Sequence, residues 1–261
     1  MRIQFYKYHG TGNDFVIMDN RDGRFDALTI EQVKFLCHRR FGIGADGLML
    51  LNKHQHLDFE MKYYNADGKE SSMCGNGGRC LVQFANDLNI YKSTYRFSAI
   101  DGEHEAEIKR GGIIALKMND VSEVKKEHGH FILNTGSPHY VQPADDVMRL
   151  DVVKKGREIR YSKPFEKEGI NVNFVEQWND TGKIIVRTYE RGVEDETFSC
   201  GTGVTAAALV SHHNEYGFNR VEVQTQGGHL SVDYDKEGNS FKNIWLNGPA
   251  TKVFEGTMEL E

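Results

Sequence analysis

Cys74-Gly75-Asn76-Gly77-Gly78 and Cys200-Gly201-Thr202-Gly203-Val204 are two copies of one phrase, and each runs into an apolar stretch of helical character. The pattern predicts a thiol at the head of a helix, twice. Upstream of the first copy lies an apolar run ending Tyr63-Tyr64-Asn65 and a polar turn. Upstream of the second lie Ile184-Ile185-Val186-Arg187-Thr188-Tyr189-Glu190 and a similar turn. Two such thiols facing one bound molecule would take a proton from one face of a carbon and return it to the other. That is the chemistry of a racemase or epimerase that needs no cofactor.

The repeat extends well beyond the cysteines. Gly102 follows Cys74 by 28 residues and Gly228 follows Cys200 by 28, each in a turn after a strand-like run. Gly12-Asn13-Asp14-Phe15 and Gly136-Ser137-Pro138-His139 precede their cysteines by 62 and 64 residues, and Ala45-Asp46-Gly47 matches Ile170-Asn171-Val172. An offset of about 125 residues held through four landmarks indicates two homologous halves. Two copies are too few for a solenoid, so two similar domains with a cleft between them are expected.

Each half reads as short strands with one helix after its cysteine. Cys80, Leu81, Phe84, Ala85 and Leu88 form one apolar helical face, whereas Val204 to Val210 is apolar nearly all round, as in a helix wrapped by sheet. Thr29-Ile30-Glu31-Gln32 has the form of a capping box leading into Val33, Leu36 and Cys37. A counterpart is expected near Asp145 to Lys155. Alternation marks strands in 103–118 and 221–234, the polar stretch Asn119 to Gly129 reads as the crossing between halves, and 251–260 is placed to return to the first domain. The domains are thus expected at 1–118, completed by about 250–261, and 119–249.

The 261 residues, 39% of them apolar, suffice for one large or two medium cores. The net charge of −6 is spread along the chain, which argues against nucleic acid and anionic membranes and for a small-molecule ligand. Met1 to Tyr8 reads as a strand without the apolar core of a signal peptide, and no segment reaches the roughly 18 apolar residues of a membrane span. A cytoplasmic protein with free thiols is expected, since four cysteines in so long a chain do not make a disulfide framework. No cysteine pair has zinc-ligand spacing, and nothing resembles a pyridoxal phosphate site, so neither metal nor cofactor is expected.

Removing an α-proton from an amino acid is hard because the carbanion is poorly stabilised. Unpaired N–H groups and the positive dipole end at a helix N-terminus favour the carboxylate's growing charge, and glycines let that backbone approach closely. The same field lowers a thiol from its reference near about 8.5. One cysteine then acts as thiolate base and the other as thiol acid, exchanging roles when the reaction reverses.

His9-Gly10-Thr11-Gly12-Asn13-Asp14-Phe15, Tyr64-Asn65-Ala66-Asp67-Gly68, Cys74-Gly75-Asn76-Gly77-Gly78-Arg79-Cys80, Gly136-Ser137-Pro138-His139, and Glu190-Arg191-Gly192 with Cys200-Gly201-Thr202-Gly203 together resemble the diaminopimelate epimerases over nearly the whole chain. The resemblance implies an α+β fold of two pseudo-symmetric domains, each a curved, mostly antiparallel sheet around a central helix. It implies a homodimer that interconverts LL- and meso-2,6-diaminopimelate without a cofactor. Cys74 and Cys200 would be the acid–base pair, and Gly75, Asn76, Gly201 and Thr202 would hold the reacting carboxylate. Asn13, Asn65, Asn171, Glu190 and Arg191 would line the site, and His139 and Glu190 would adjust the thiols. Ser137 stands where many members carry asparagine and reaches less far, and Gly47 offers only backbone where some members place glutamine.

Plainer readings stand beside these. Cys37 and Cys80 read as small buried hydrophobes, Asn13 and Asn65 suit turns, and His139 after a proline suits a strand end. The rival functions are a proline or hydroxyproline racemase, which would leave Arg191 without a distal carboxylate, and a thiol hydrolase pairing one cysteine with His139, in which the other cysteine is dispensable.

Overall fold

The computed structural model describes residues 1–178, 182–211 and 214–260. Contacts divide the chain into two compact units, Met1–Leu116 with Pro249–Glu261, and Lys117–Gly248. The first holds β1 (Arg2–Gly10), β2 (Asn13–Asp19), α1 (Ile30–Cys37), β3 (Gly47–Asn52), β4 (Phe59–Asn65), β5 (Glu70–Ser71), α2 (Gly75–Asp87), β6 (Thr94–Ala99), β7 (Gly102–Ile108) and β8 (Ile114–Lys117). The second holds β9 (Val124–Glu127), β10 (His130–Asn134), β11 (Pro138–Pro143), α3 (Val152–Arg160), β12 (Asn171–Trp178), β13 (Lys183–Glu190), β14 (Asp195–Thr197), α4 (Gly201–Val210), β15 (Tyr216–Thr225), β16 (Gly228–Glu237) and β17 (Ser240–Gly248). The last strand, β18 (Thr251–Glu259), lies in the first unit.

The strands of the first unit run in the order β18-β1-β2-β3-β4-β6-β7-β8, with β2/β3 and β4/β6 parallel and the other neighbours antiparallel. Those of the second run β9-β10-β11-β12-β13-β15-β16-β17, with β11/β12 and β13/β15 parallel at the corresponding steps. The short strands β5 and β14 pair with β4 and β13 at equivalent places. The sequence repeat is thus a repeat of topology, and the architecture is α+β.

In the first unit β2 and β3 are buried on both faces, which explains continuous runs such as Leu48-Met49-Leu50-Leu51, and in the second unit the first five residues of β12 are likewise all buried. One face of the first sheet packs Val16, Met18, Leu48 and Leu50 against Val33, Leu36 and Cys37 of α1. The other face, with Phe15, Met49 and Met61, meets α2 at Gly77. In the second unit Val172, Phe174 and Tyr189 pack against Val152 of α3. On the opposite side α4 is packed by β10, β11, β12, β13, β15, β16 and β17. Enclosure by sheet accounts for a helix whose residues from Gly203 to Leu209 are all buried.

The capping box of α1 forms as expected: Thr29 Oγ1 accepts from the Gln32 N–H, and Gln32 Oε1 accepts from the Thr29 N–H. Its counterpart α3 begins later than Asp145, because the Asp151 side chain caps the Lys154 N–H while a 3₁₀ turn, entered through a left-handed Asp146, occupies Val147–Arg149. The stretch read as a crossing, 119–129, belongs to the second unit. Val121 bridges to Phe241, and β9 pairs with β10 while Lys126 lies over the Phe131 ring. Among the described residues no helix is long and apolar enough to cross a membrane.

Candidate active site

Both cysteines of the repeated phrase are N-cap residues in extended conformation, Cys74 for α2 and Cys200 for α4. Neither sulfur caps its own helix, so the first-turn N–H groups are not consumed by the cap side chain. The other two cysteines are buried, and burial pushes the Cys37 thiol up to about 12 and raises Cys80 as well. They are inert at neutral pH.

In the first unit, the Cys74 Sγ lies 3.5 Å from Asn13 Oδ1, which also accepts from Asn76 Nδ2 at 3.3 Å. The Asn13 Nδ2 donates to Asp46 Oδ2 at 2.7 Å. Asp46 is anchored by Arg39, which also pairs with Asp14. The buried Lys7 pairs with Asp14 as well. Burial pushes the Asp14 carboxyl up, but hydrogen bonds from Arg39 and Lys7 outweigh it and hold the group well below the usual carboxylate range. Asn65, the last residue of β4, is exposed opposite Gly47 on β3. Among the described residues its side chain joins none of these hydrogen bonds. Gly47 has a packing reason as well, since a Cβ there would lie 2.5 Å from the Tyr63 ring and 2.6 Å from the Tyr64 carbonyl.

In the second unit, Cys200 Sγ lies 3.5 Å from the hydroxyl of Thr202, whose carbonyl accepts from Thr135 Oγ1 at 2.8 Å. Asn171, at the start of β12, spends its amide internally: Nδ2 donates to Ser137 Oγ at 2.9 Å and the Pro138 carbonyl at 3.1 Å, and Oδ1 accepts from the Arg191 N–H at 2.9 Å. The exposed Arg191 guanidinium touches the Glu168 carbonyl and Ser137 Oγ, and among the described residues it pairs with no carboxylate. Glu190, the last residue of β13, accepts from Thr197 Oγ1 at 2.9 Å. Glu190 and Asn65 therefore occupy equivalent strand ends, as do Asn171 and Gly47 at the strand starts.

His139 on β11 is fully buried, and burial, with the charge of Arg191, lowers its pKa to about 3. It is neutral, and its neighbours set the tautomer. Asn173 Oδ1 accepts from Thr188 Oγ1 at 2.9 Å, so Nδ2 faces the Tyr140 carbonyl and His139 Nδ1 at 3.1 Å. Nδ1 is then an acceptor and Nε2 carries the proton. That Nε2 has no hydrogen-bond partner among the described residues, which leaves a buried donor for an anion.

The lowered pKa has a linkage consequence. Between pH 6.5 and about 3 the unfolded chain binds a proton at His139 that the folded protein refuses, so this contribution to stability is complete above 6.5 and is lost as pH falls. Urea unfolding at pH 7 and pH 5 should show wild type losing stability relative to His139→Gln on acidification. An unchanged gap between the two proteins would contradict it.

Sequence reading missed Asn173, Thr188, Thr135 and Arg79. Only Asn173 carried a signal: two positions after Asn171 in a strand, it faces the same side, and a second polar residue on that face of Val172-Asn173-Phe174 asks for a partner.

The chain matches the family model described as diaminopimelate epimerase over residues 5–124 and 131–253. It is 51% identical over 257 residues to the diaminopimelate epimerase of Flavobacterium psychrophilum, covering 98% of this chain and 100% of that one. It is 42% identical over 261 residues to that of Chlorobaculum tepidum, covering 96% and 99%. Among solved structures, the Bacillus anthracis phenazine biosynthesis protein of the PhzF family superposes with a TM-score of 0.78 at 16% identity, covering 100% of both chains, which speaks to fold alone.

Proposed function

The chain belongs to the diaminopimelate epimerase family, and we propose that within it Cys74 and Cys200 are the acid–base pair on the two faces of the substrate's α-carbon. Membership makes the protein an isomerase of amino acids, interconverting LL- and meso-2,6-diaminopimelate in lysine and peptidoglycan precursor biosynthesis. The observation that carries the assignment of the pair is topological: each cysteine is the N-cap of the central helix in one of two units with the same strand order.

One thiolate takes the α-proton while the other thiol delivers a proton to the opposite face. The carboxylate gains negative charge as the carbanion forms, and the N–H groups of Gly75, Asn76, Gly201 and Thr202 at two helix N-termini stabilise it. This polarisation replaces the electron sink a cofactor would supply, so the enzyme works without pyridoxal phosphate. The Thr202 hydroxyl and the Nε2–H of His139 are donors suited to a thiolate, whereas Asn13 Oδ1 accepts from a thiol. Arg191, with no carboxylate partner among the described residues, holds the distal carboxylate, and Asn171 with Ser137 steadies it. Asn65 and Glu190, at equivalent strand ends, complete the lining of the site. The family resemblance supports a homodimer, which sedimentation measures directly, and a biosynthetic role in lysine formation supports a cytoplasmic location.

The reaction class is tested by incubating the reduced protein with LL-diaminopimelate in deuterated water. Deuterium should enter one α-position as the meso isomer forms, with no added cofactor. A folded, reduced sample that leaves both α-protons in place would sink the assignment, and equal exchange of proline would favour a racemase of the cyclic amino acid.

A further inference from the structure

Among the described residues Arg79 on α2 is the largest fully buried side chain, and it is charged. Its Nη2 donates to Asn76 Oδ1 at 2.8 Å and Thr11 Oγ1 at 3.4 Å. Nη1 donates to the Gly75 carbonyl at 3.2 Å, and Nε to the Pro249 carbonyl at 3.5 Å. Every acceptor is neutral, and among the described residues no carboxylate pairs with it. A buried cation without a counter-ion is costly, yet a guanidinium does not shed its charge. Burial lowers its pKa, and its hydrogen bond to Asn76 leads through Asn13 to the Cys74 sulfur.

The hydrogen bonds around it run in one direction. Because Asn76 Oδ1 accepts from Arg79, its Nδ2 faces Asn13 Oδ1; because Asn13 Nδ2 donates to Asp46, its Oδ1 faces Asn76 and the Cys74 sulfur. Flipping either amide would set N–H against the guanidinium or oxygen against the carboxylate. An oxygen facing the sulfur favours the protonated thiol. Something must offset it if Cys74 is to serve as base in one direction of the reaction, and a cation under the first turn of α2 does so.

We propose that Arg79 is a positioning residue for the Cys74 half of the site, whose unpaired charge beneath the first turn of α2 favours the Cys74 thiolate and a carboxylate bound at the Gly75 and Asn76 N–H groups. The anion it lacks within the fold is the one that arrives with catalysis. This rests on reading Cys74 as a reacting group, but its primary readout, thiolate reactivity, needs no substrate.

The test is the rate of Cys74 alkylation by iodoacetamide across pH, resolved by peptide mass, in Arg79→Gln, Arg79→Met and Arg79→Lys. Glutamine is neutral but still carries an N–H donor, whereas methionine removes charge and donor together. Alkylation at pH 7 should slow about tenfold, an upward shift of about one pH unit in the midpoint, with kcat/KM reduced at least tenfold. Lysine should restore alkylation to within threefold of wild type. The neutral variants should fold, because the charge is a cost to the fold. Alkylation within threefold of wild type in the neutral variants, a lysine variant as slow as glutamine, or failure of both neutral variants to fold would each overturn the proposal. A wild type that alkylates normally at Cys74 yet incorporates no deuterium would instead overturn the functional reading.

Discussion

Replacing either Cys74 or Cys200 with alanine should reduce epimerisation by roughly 10³-fold or more, since a general acid–base group contributes about 10² to 10⁴ and neither face has a substitute. The double variant should be little worse than either single one, because groups that act as a unit are not additive. Each single variant retains a thiol able to remove and return a proton on its own face. It should therefore exchange solvent deuterium into one stereoisomer without inverting it, and the two variants should prefer opposite α-configurations. Proton NMR in deuterated water with chiral chromatography reads both quantities, and circular dichroism checks folding. A variant that keeps full turnover would show that one cysteine is dispensable and return the thiol hydrolase to consideration.

Gly203→Ala should be far more damaging than the same change at the matching glycine of the first phrase, Gly77. A Cβ at Gly203 would lie 2.3 Å from Asn173 Oδ1 and 3.3 Å from Thr188 Oγ1. Asn173 cannot yield cheaply, because Thr188, the Tyr140 carbonyl and His139 hold both ends of its amide. Either α4 moves away from β12, carrying Cys200 with it, or the buried network breaks. Overpacking and an unsatisfied buried polar group each cost about 1–3 kcal/mol, so a loss of about 2–4 kcal/mol is expected. A displaced catalytic group reduces turnover by about 10². The repeat supplies the control: at the equivalent Gly77 the nearest atom to an added Cβ is the flexible Met49 sulfur at 3.1 Å. Gly77→Ala should stay within about 1 kcal/mol of wild type, since helix propensity partly offsets the crowding. Urea unfolding and steady-state rates of the pair test this, and equal effects at the two positions would refute the packing argument.

That pair also marks how far the sequence could be read. Gly77 and Gly203 are each the third residue after a cysteine in one repeated phrase, and no local pattern separates them. The difference lies across the unit, in Met49 against one helix and Asn173 against the other. Residues 119–129 show the same limit: a polar, charged run reads as a connection, yet within it β9 forms as an outer strand whose charges are solvated while its backbone pairs with β10. α3 starts later than its sequence suggests because both Asp145 and Asp151 can cap a helix, and periodicity does not register the 3₁₀ turn between them.

What the sequence determined by itself was the twofold repeat, the placing of both cysteines at helix heads, and the apolar faces of α2 and α4. These depend on residues close together in the chain, on helical spacing and on backbone preferences, and such signals survive without knowledge of what packs against them. Only the tertiary structure decided that α4 is enclosed by sheet with a polar Asn173 beneath it, that His139 is neutral with its proton on Nε2, and that Arg79 is buried with no carboxylate partner among the described residues. Charge state, tautomer and amide orientation are set by burial and by partners from distant strands, and a residue's energy in that setting is absent from its neighbours in sequence.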